Sequence, residues 1–249
     1  MPKASELLRG RKKILVTGGA GFIGGSVVRR LLQETEVTVF NLDKMGYASD
    51  LSSINKVLTG LDKAHQTRHQ LLKVDLKNQK EVQTAVQKAD PDMVLHLAAE
   101  SHVDRSITAP GQFLDSNVIG TYSLLQAVLC HYRQLSEERK AMFRMLHIST
   151  DEVFGSLGEK GRFSENTPYA PRSPYSASKA ASDHLVQAWH HTFGLPVVIT
   201  NCSNNYGPWQ FPEKLIPVVI LKAIEGESIP LYGDGKNIRD WLYVEDHVD

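Results

Sequence analysis

"KILVTGGAGFIGG", residues 13–25, decides the fold: a β-branched and aliphatic run leads directly into a glycine-rich turn and then, from about Phe22, into a segment of helical period. In such a strand–turn–helix unit Gly18 permits the tight turn, Gly21 lets the backbone approach a pyrophosphate, and Gly24 allows the helix to lie close on the strand. Phosphates would sit at the helix N-terminus, where unpaired N–H groups and the helix dipole favour anions. A glycine triplet can also serve a plain structural turn. Its place between a strand and an apolar helix favours the nucleotide reading.

Outward from this unit the same alternation continues. Apolar, β-branched runs at 37–42 (VTVFNL), 70–75 (QLLKVD), 91–98 (PDMVLHLA), 143–149 (FRMLHIS) and 195–201 (LPVVITN) are separated by longer helical segments, one of them near 112–134. Strands apolar on both faces and joined by helices predict a parallel sheet covered on each side, a doubly wound α/β (Rossmann) fold. The organisation expected is a flexible tail over 1–12, a nucleotide-binding domain over 13–201, and the start of a smaller substrate-binding region over 202–249. That last region is dense in Gly, Pro and aromatic residues and carries a Pro-interrupted helical stretch near 213–225. Internal repeats and low-complexity tracts are absent.

Composition narrows the function. The 249 residues are 41% hydrophobic and 22% charged, as expected of a globular chain able to bury a full core. Lys+Arg and Asp+Glu both total 28, so no basic excess argues for nucleic acid or an anionic membrane surface. A small-molecule partner is expected. Cys130 and Cys202 are far apart and lack metal-site spacing, which suits a reducing, cytoplasmic compartment. The opening "MPKASELLRGRKK" has no apolar core of signal-peptide length, and no later run approaches membrane-spanning length.

Asp43 follows the glycines by about 20 residues, the spacing of a carboxylate on the adenosine ribose hydroxyls, and it would repel a 2′-phosphate. NAD is therefore expected over NADP, although Lys44 next to it could offset part of that repulsion. Asp75 and Leu76 end the third strand at adenine height, and Ala98 and Ala99 leave space for a cofactor at the end of the fourth. Tyr175 and Lys179, in "YSASK", lie four apart on one face of a helix that Pro174 begins. Bringing a phenol from ~10 to neutrality takes roughly 3 units, about 4 kcal/mol, which a nearby ammonium and a cationic cofactor ring could supply. Lys179 is thus expected to lower the Tyr175 pKa and to hold the ribose. "HIST", 147–150, delivers Ser149, Thr150, Asp151 and Glu152 to the carboxyl end of the fifth strand, where open α/β sheets bind ligands. An Asp-Glu pair after a strand is ordinarily a turn or cap. Beside an alcohol-oxidising pair it implies a second kind of proton transfer.

The motifs "GGAGFIG", "LAAESHVDRS", "STDEVFG", "YSASK", "NNYGP", "FPEKLIP", "PLYGDG" and "IRDWLYVEDH" resemble, in order and over nearly the whole chain, those of the extended short-chain dehydrogenases, the NAD-dependent epimerase/dehydratase family. The resemblance is greatest to its nucleotide-sugar 4,6-dehydratases, with dTDP-glucose the substrate that the likeness prefers. It implies that Tyr175 takes the C4 hydroxyl proton, Thr150 hydrogen-bonds the forming carbonyl, Glu152 removes the C5 hydrogen and protonated Asp151 assists loss of the C6 hydroxyl. By motif it also implies a cofactor wall containing Phe22, Ile23, Ser101, Ser116, Ser149 and Asn205. On the substrate side it implies His102, Asn204, Lys214, Leu215, Pro230, Tyr232 and Arg239. Phe154 and Gly25 stand where tyrosine and serine are usual in the family. The family's chain continues past "YVEDH", and its helices corresponding to 112–134 and 175–193 pair in a homodimer. A related epimerase or decarboxylase, and a catalytically silent NAD-binding protein, remain alternatives. No metal is expected, because His65 with His69 and His190 with His191 lack a third ligand. Trp189 reads as packing.

Overall fold

The computed structural model describes residue 8 and residues 10–158, 160–229, 231 and 234–249; Pro230 and Tyr232 lie outside the described residues. Six strands form one sheet: β1 (Lys13–Thr17), β2 (Thr38–Asp43), β3 (His69–Lys73), β4 (Met93–His96), β5 (Arg144–Thr150) and β6 (Val197–Cys202). Their order is β3-β2-β1-β4-β5-β6 and every pairing is parallel. The chain builds outward one way from β1 and then crosses to the other side at β4. This reversal opens a crevice at the carboxyl ends of β1 and β4.

Side-chain alternation explains why both faces are covered. Leu15 of β1 joins Phe40, Leu42 and Val94 in one buried cluster, whereas Ile14 and Val16 join Val28, Leu32 and Val39 in the other. A strand with both sets apolar needs helices on each side. The helix α1 (Phe22–Glu34) covers one face, while α2 (Gln79–Ala89) and α3 (Gly120–Gln134) contribute Val82, Val86, Leu124 and Val128 to the other. The long helix α4 (Pro174–Phe193) starts at Pro174 behind a capping box between Ser173 and Ser176, and ends at Gly194 with φ 71°.

The helix expected near 112–134 is not continuous. A short turn of helix, Pro110–Phe113, passes into a π-helix over Leu114–Ile119 before α3 begins. The wider turn lets Asn117 reach sideways: its Oδ1 accepts from the Glu100 N–H at 2.8 Å, and its Nδ2 donates to the Glu100 carbonyl at 3.0 Å and the Ser178 hydroxyl at 2.9 Å. The described end of the expected tail meets the domain, because Leu8 packs on a core cluster and the Arg11 guanidinium donates to the Met142 carbonyl.

Beyond β6, β7 (Asn204–Tyr206) and β8 (Trp241–Tyr243) form a two-stranded parallel sheet, and between them lies α5 (Leu215–Glu225). Pro217 does not interrupt α5, since it falls in the first turn, where a backbone N–H has no intrahelical partner. A last helix, α6 (Val244–Val248), packs on α1 through Glu245, which accepts from Ser26 at 2.9 Å and pairs with Arg29 at 3.2 Å. Among the described residues no helix is long and apolar enough to cross a membrane.

Candidate active site

A cavity of about 270 Å³ follows the crevice from the glycine turn to α4. It is lined by Gly18, Gly21, Phe22, Ile23, Gly24, Asp43, Lys44, Asp75, Leu76, Ala98, Ala99, Ser101, Ser116, Ser149, Tyr175, Lys179 and Lys214, so most of the residues expected on a cofactor wall share one space. Gly18 has φ 71°, and a Cβ there would lie 2.7 Å from the Ala98 backbone. The N-terminus of α1 has no side-chain cap and no acidic residue in its first turn, leaving its N–H groups and positive end for an anion.

Asp43 is buried, and its carboxylate accepts from the Ala20 N–H (3.0 Å), the Met45 N–H (2.8 Å) and the Ser49 hydroxyl (2.9 Å). A carboxylate offers about four acceptor positions, so one, on Oδ2, remains for a ligand hydroxyl. Lys44 pairs with Glu100 at 2.6 Å. The cation next to Asp43 is therefore already matched, and it does little to soften repulsion of an extra phosphate.

The acids follow β5 in a short 3-10 helix, Asp151–Phe154, whose N-cap Thr150 accepts from the Glu152 N–H at 3.2 Å and donates to Asp151 at 3.3 Å. Burial raises both carboxyl pKa values. The two differ in their neighbours: the Thr150 hydroxyl lowers Asp151 while Asp240 pushes it up, whereas Asp151 pushes Glu152 up and Arg239 and Lys214 pull it partly back down. Both carboxyl groups therefore hold a proton more readily than exposed ones, each under the influence of different neighbours. Two adjacent carboxyl groups with divergent environments are suited to opposite proton-transfer roles.

Tyr175 departs from expectation. The polypeptide raises its pKa rather than lowering it, first through burial and then through the Glu152 charge, with the Thr150 hydroxyl acting in the opposite direction. Lys179 is buried, and its ammonium donates to the Ile148 carbonyl at 2.8 Å. Same-face spacing brings the pair to one cavity, but desolvation of the phenol outweighs it.

Of the expected substrate-side residues, Lys214 lines the cavity and donates to the Ser101 carbonyl at 2.8 Å. His102 lies 4.0 Å from Glu213, and the exposed Arg239 reaches Glu152 by its charge. Leu215 is exposed at the start of α5, and Asn204 sits in β7; neither lines the cavity. Asn205 departs from the expected cofactor wall as well. Its Oδ1 is 2.7 Å from His247 Nδ1 and its Nδ2 donates to the Ser203 carbonyl, so α6 and the neighbouring loop engage the amide. His65 is engaged by Asp62 and Glu36, and Trp189 packs between Tyr122 and Phe193.

Several residues in or beside the cavity were given no role in advance. Glu213 accepts from Tyr47 at 3.0 Å and pairs with Arg105 at 3.5 Å, while the Arg105 guanidinium lies 3.8 Å from the Tyr47 ring centroid. Asn117 ties the end of β4 to α4. Cys202 lines the cavity with its thiol pushed up to about 11, chiefly by burial. Glu213 in "FPEK" and Arg105 in "LAAESHVDRS" lie within motifs of the sequence; the others depend on long-range contacts.

Beneath the cavity, His147 is held near pKa 4 and His96 well below its ordinary value, both mainly by burial. The fold therefore stabilises their neutral forms: that stability is full above about pH 6.5 and is lost as pH falls toward 4. For His147 alone, moving from pH 7 to pH 5 is expected to remove about 2 kcal/mol. Urea unfolding of the wild type at the two pH values, compared with His147→Gln, checks this. The variant is expected to lose less stability on acidification.

A family model described as GDP-mannose 4,6 dehydratase matches residues 15–249. The dTDP-glucose 4,6-dehydratase of Xanthomonas campestris pv. campestris (strain B100) is 55% identical over 235 residues, covering 94% of this chain and 65% of the relative. That of Neisseria gonorrhoeae is 54% identical over 240 residues, covering 96% of this chain and 68% of the relative. The crystal structure of dTDP-glucose 4,6-dehydratase from Bacillus anthracis str. Ames in complex with NAD superposes with a TM-score of 0.80 at 42% identity, over 95% of this chain and 69% of that one. The chain thus spans about two thirds of the length of these relatives.

Proposed function

The chain belongs to the GDP-mannose 4,6 dehydratase family, and from that premise we propose that it binds NAD and converts dTDP-glucose to dTDP-4-keto-6-deoxyglucose and water. The observation that carries this reading is the pair Asp151 and Glu152, both acting electrostatically on Tyr175 and held in unlike environments. A dehydrogenase that only oxidised an alcohol would need neither.

The residues suit the cofactor. The uncapped N-terminus of α1 fits a diphosphate, the room kept by Gly18 fits a close approach to the backbone, and the remaining acceptor position of Asp43 fits a ribose hydroxyl. When bound, NAD would supply a reversible hydride acceptor for oxidation at C4 and reduction at C6. Tyr175 removes the C4 hydroxyl proton, and Thr150 donates a hydrogen bond to the oxygen as it becomes a carbonyl. Since burial opposes ionisation of Tyr175, the lowering of its pKa falls to the cationic nicotinamide together with Lys179. The C4 ketone acidifies the C5 hydrogen. Glu152, whose raised pKa Arg239 and Lys214 partly offset, removes it in the carboxylate form, while protonated Asp151 donates to the departing C6 hydroxyl. Glu152 then returns the proton to C5. Redox balance closes within one turnover.

A homodimer fits the apolar surface of the same helices: Leu114 and Ile119 on the π-helix and Phe193 at the end of α4 are exposed. A cytoplasmic site fits the two free cysteines. The test is incubation of the 249-residue chain with dTDP-glucose and substoichiometric NAD. Accumulation of 4-keto-6-deoxy product without net NADH is expected. Conversion to a C4 epimer, or NAD binding with no turnover of either dTDP-glucose or UDP-glucose, would overturn the reading.

A further inference from the structure

We propose that Asp183 is a positioning residue: its buried carboxylate is the counter-charge that keeps the Lys179 ammonium in place beside Tyr175 and fixes the end of β5 that carries Thr150, Asp151 and Glu152. This deepens the dehydratase reading, in which Lys179 acts with Tyr175, and it can be tested apart from it.

The geometry is compact. Tyr175, Lys179 and Asp183 follow one another at intervals of four along α4 and so share a face. Asp183 is fully buried and Lys179 is 5% exposed. The Lys179 ammonium is seated on the carbonyl of Ile148. The residues on either side of Ile148 both donate to Asp183, Ser149 through its hydroxyl at 2.6 Å and His147 through Nε2 at 3.1 Å. Tyr169 adds a third donor at 2.9 Å from the loop before α4. A carboxylate only accepts, so His147 carries its proton on Nε2. Asp183 thereby holds His147 and Ser149, and Lys179 holds Ile148 between them, so that α4 fastens three consecutive residues of β5 just ahead of Thr150 and the acids.

An ammonium removed from water needs a compensating charge. The titratable groups facing Lys179 come from every neighbouring element: His96 on β4, His147 on β5, Cys202 on β6, Tyr169 in the loop, and Tyr175 and Asp183 on α4 itself. His96 and His147 are held neutral, and the Lys179 charge contributes to that. Burial pushes the Cys202 thiol up to about 11 and the Tyr169 phenol up to about 12, so neither is an anion at neutral pH. Burial lowers the Lys179 pKa, and Asp183 is the foremost group raising it again. The carboxylate takes its three hydrogen-bond donors from His147, Ser149 and Tyr169, and with Asp183 one helical turn from Lys179 it supports the ammonium through its charge.

The experiment is an NMR titration of the full chain labelled with carbon-13 in its lysine side chains, with Lys179→Arg identifying the Lys179 resonance. In Asp183→Asn the Lys179 midpoint is expected to fall by at least one pH unit. In Ser149→Ala and Tyr169→Phe, which each remove a hydrogen bond but no charge, it is expected to stay within a few tenths. Equal Lys179 midpoints in folded wild type and Asp183→Asn would overturn the proposal. If Asp183→Asn does not fold, the double variant Asp183→Asn with Lys179→Met decides: recovery of a folded chain supports a charge partnership, and failure to recover overturns it. In turnover assays the alkaline limb of kcat is expected to move down in Asp183→Asn, and an unmoved limb counts against the proposal. A wild type without dehydratase turnover would sink the functional reading alone, because the lysine titration is read without substrate.

Discussion

Glu152→Gln is expected to lower formation of the 4-keto-6-deoxy product by about 10³-fold, within the range usual for loss of one acid–base group, while oxidation at C4 persists. The amide keeps the size of the side chain and its place in the short helix after β5 but cannot accept the C5 proton. Burial and the neighbouring Asp151 raise the Glu152 pKa and Arg239 and Lys214 partly counter them, so Glu152 accepts a proton more readily than an exposed carboxylate. Its remaining upward shift places an acidic limb on the rate: activity falls as pH drops and Glu152 gains a proton. Single-turnover measurements of NADH fluorescence and product would separate the steps. NADH should build up in the variant and fail to decay, whereas product at the wild-type rate would remove Glu152 from the mechanism.

The second large effect concerns the glycine turn. A Cβ on Gly24 would lie 2.1 Å from the Gly18 carbonyl oxygen, 2.8 Å from the Gly18 carbonyl carbon and 2.9 Å from the Gly19 Cα. All three are backbone atoms, so no rotamer change relieves the clash, and either α1 lifts from the sheet or the turn distorts. Gly24→Ala is expected to destabilise the chain by about 3 kcal/mol, the upper part of the usual overpacking range, and to weaken NAD binding by at least about tenfold, equivalent to ~1.4 kcal/mol. Gly25→Ala is the contrast. The nearest neighbour of its Cβ would be the Gly19 carbonyl oxygen at 3.6 Å, an ordinary contact, and alanine gains helix propensity of up to about 1 kcal/mol. Thermal unfolding and calorimetric titration with NAD check both variants. Equal behaviour of the two would show that close packing of α1 on the turn does not matter.

The parts of the fold that could be read from sequence are those governed by local pattern. Ile14, Leu15 and Val16 announce a strand buried on both faces, and Pro174 marks the start of α4 immediately before Tyr175, the first member of the Tyr175–Lys179 pair. The π-helix was not legible because its cause is tertiary: Asn117 meets Glu100 and Ser178, 17 and 61 positions away. Asp183 was hidden for the same reason, its donors lying on β5 and the preceding loop. For Tyr175 the spacing placed it with Lys179 on one cavity, while the polypeptide by itself raises the phenol pKa, because same-face placement says nothing about how completely the phenol is buried. Asn205 shows the opposite limit. A motif named it for the cofactor wall, and α6 engages it through His247.

The most direct test of the account uses dTDP-glucose carrying deuterium at C4, with the 249-residue chain and substoichiometric NAD. The account predicts that the label leaves C4 and appears at C6 of the 4-keto-6-deoxy product, since oxidation and reduction belong to a single turnover around Tyr175, Asp151 and Glu152. Product that retains deuterium at C4, or that carries hydrogen at C6 with the label lost to solvent, would contradict it.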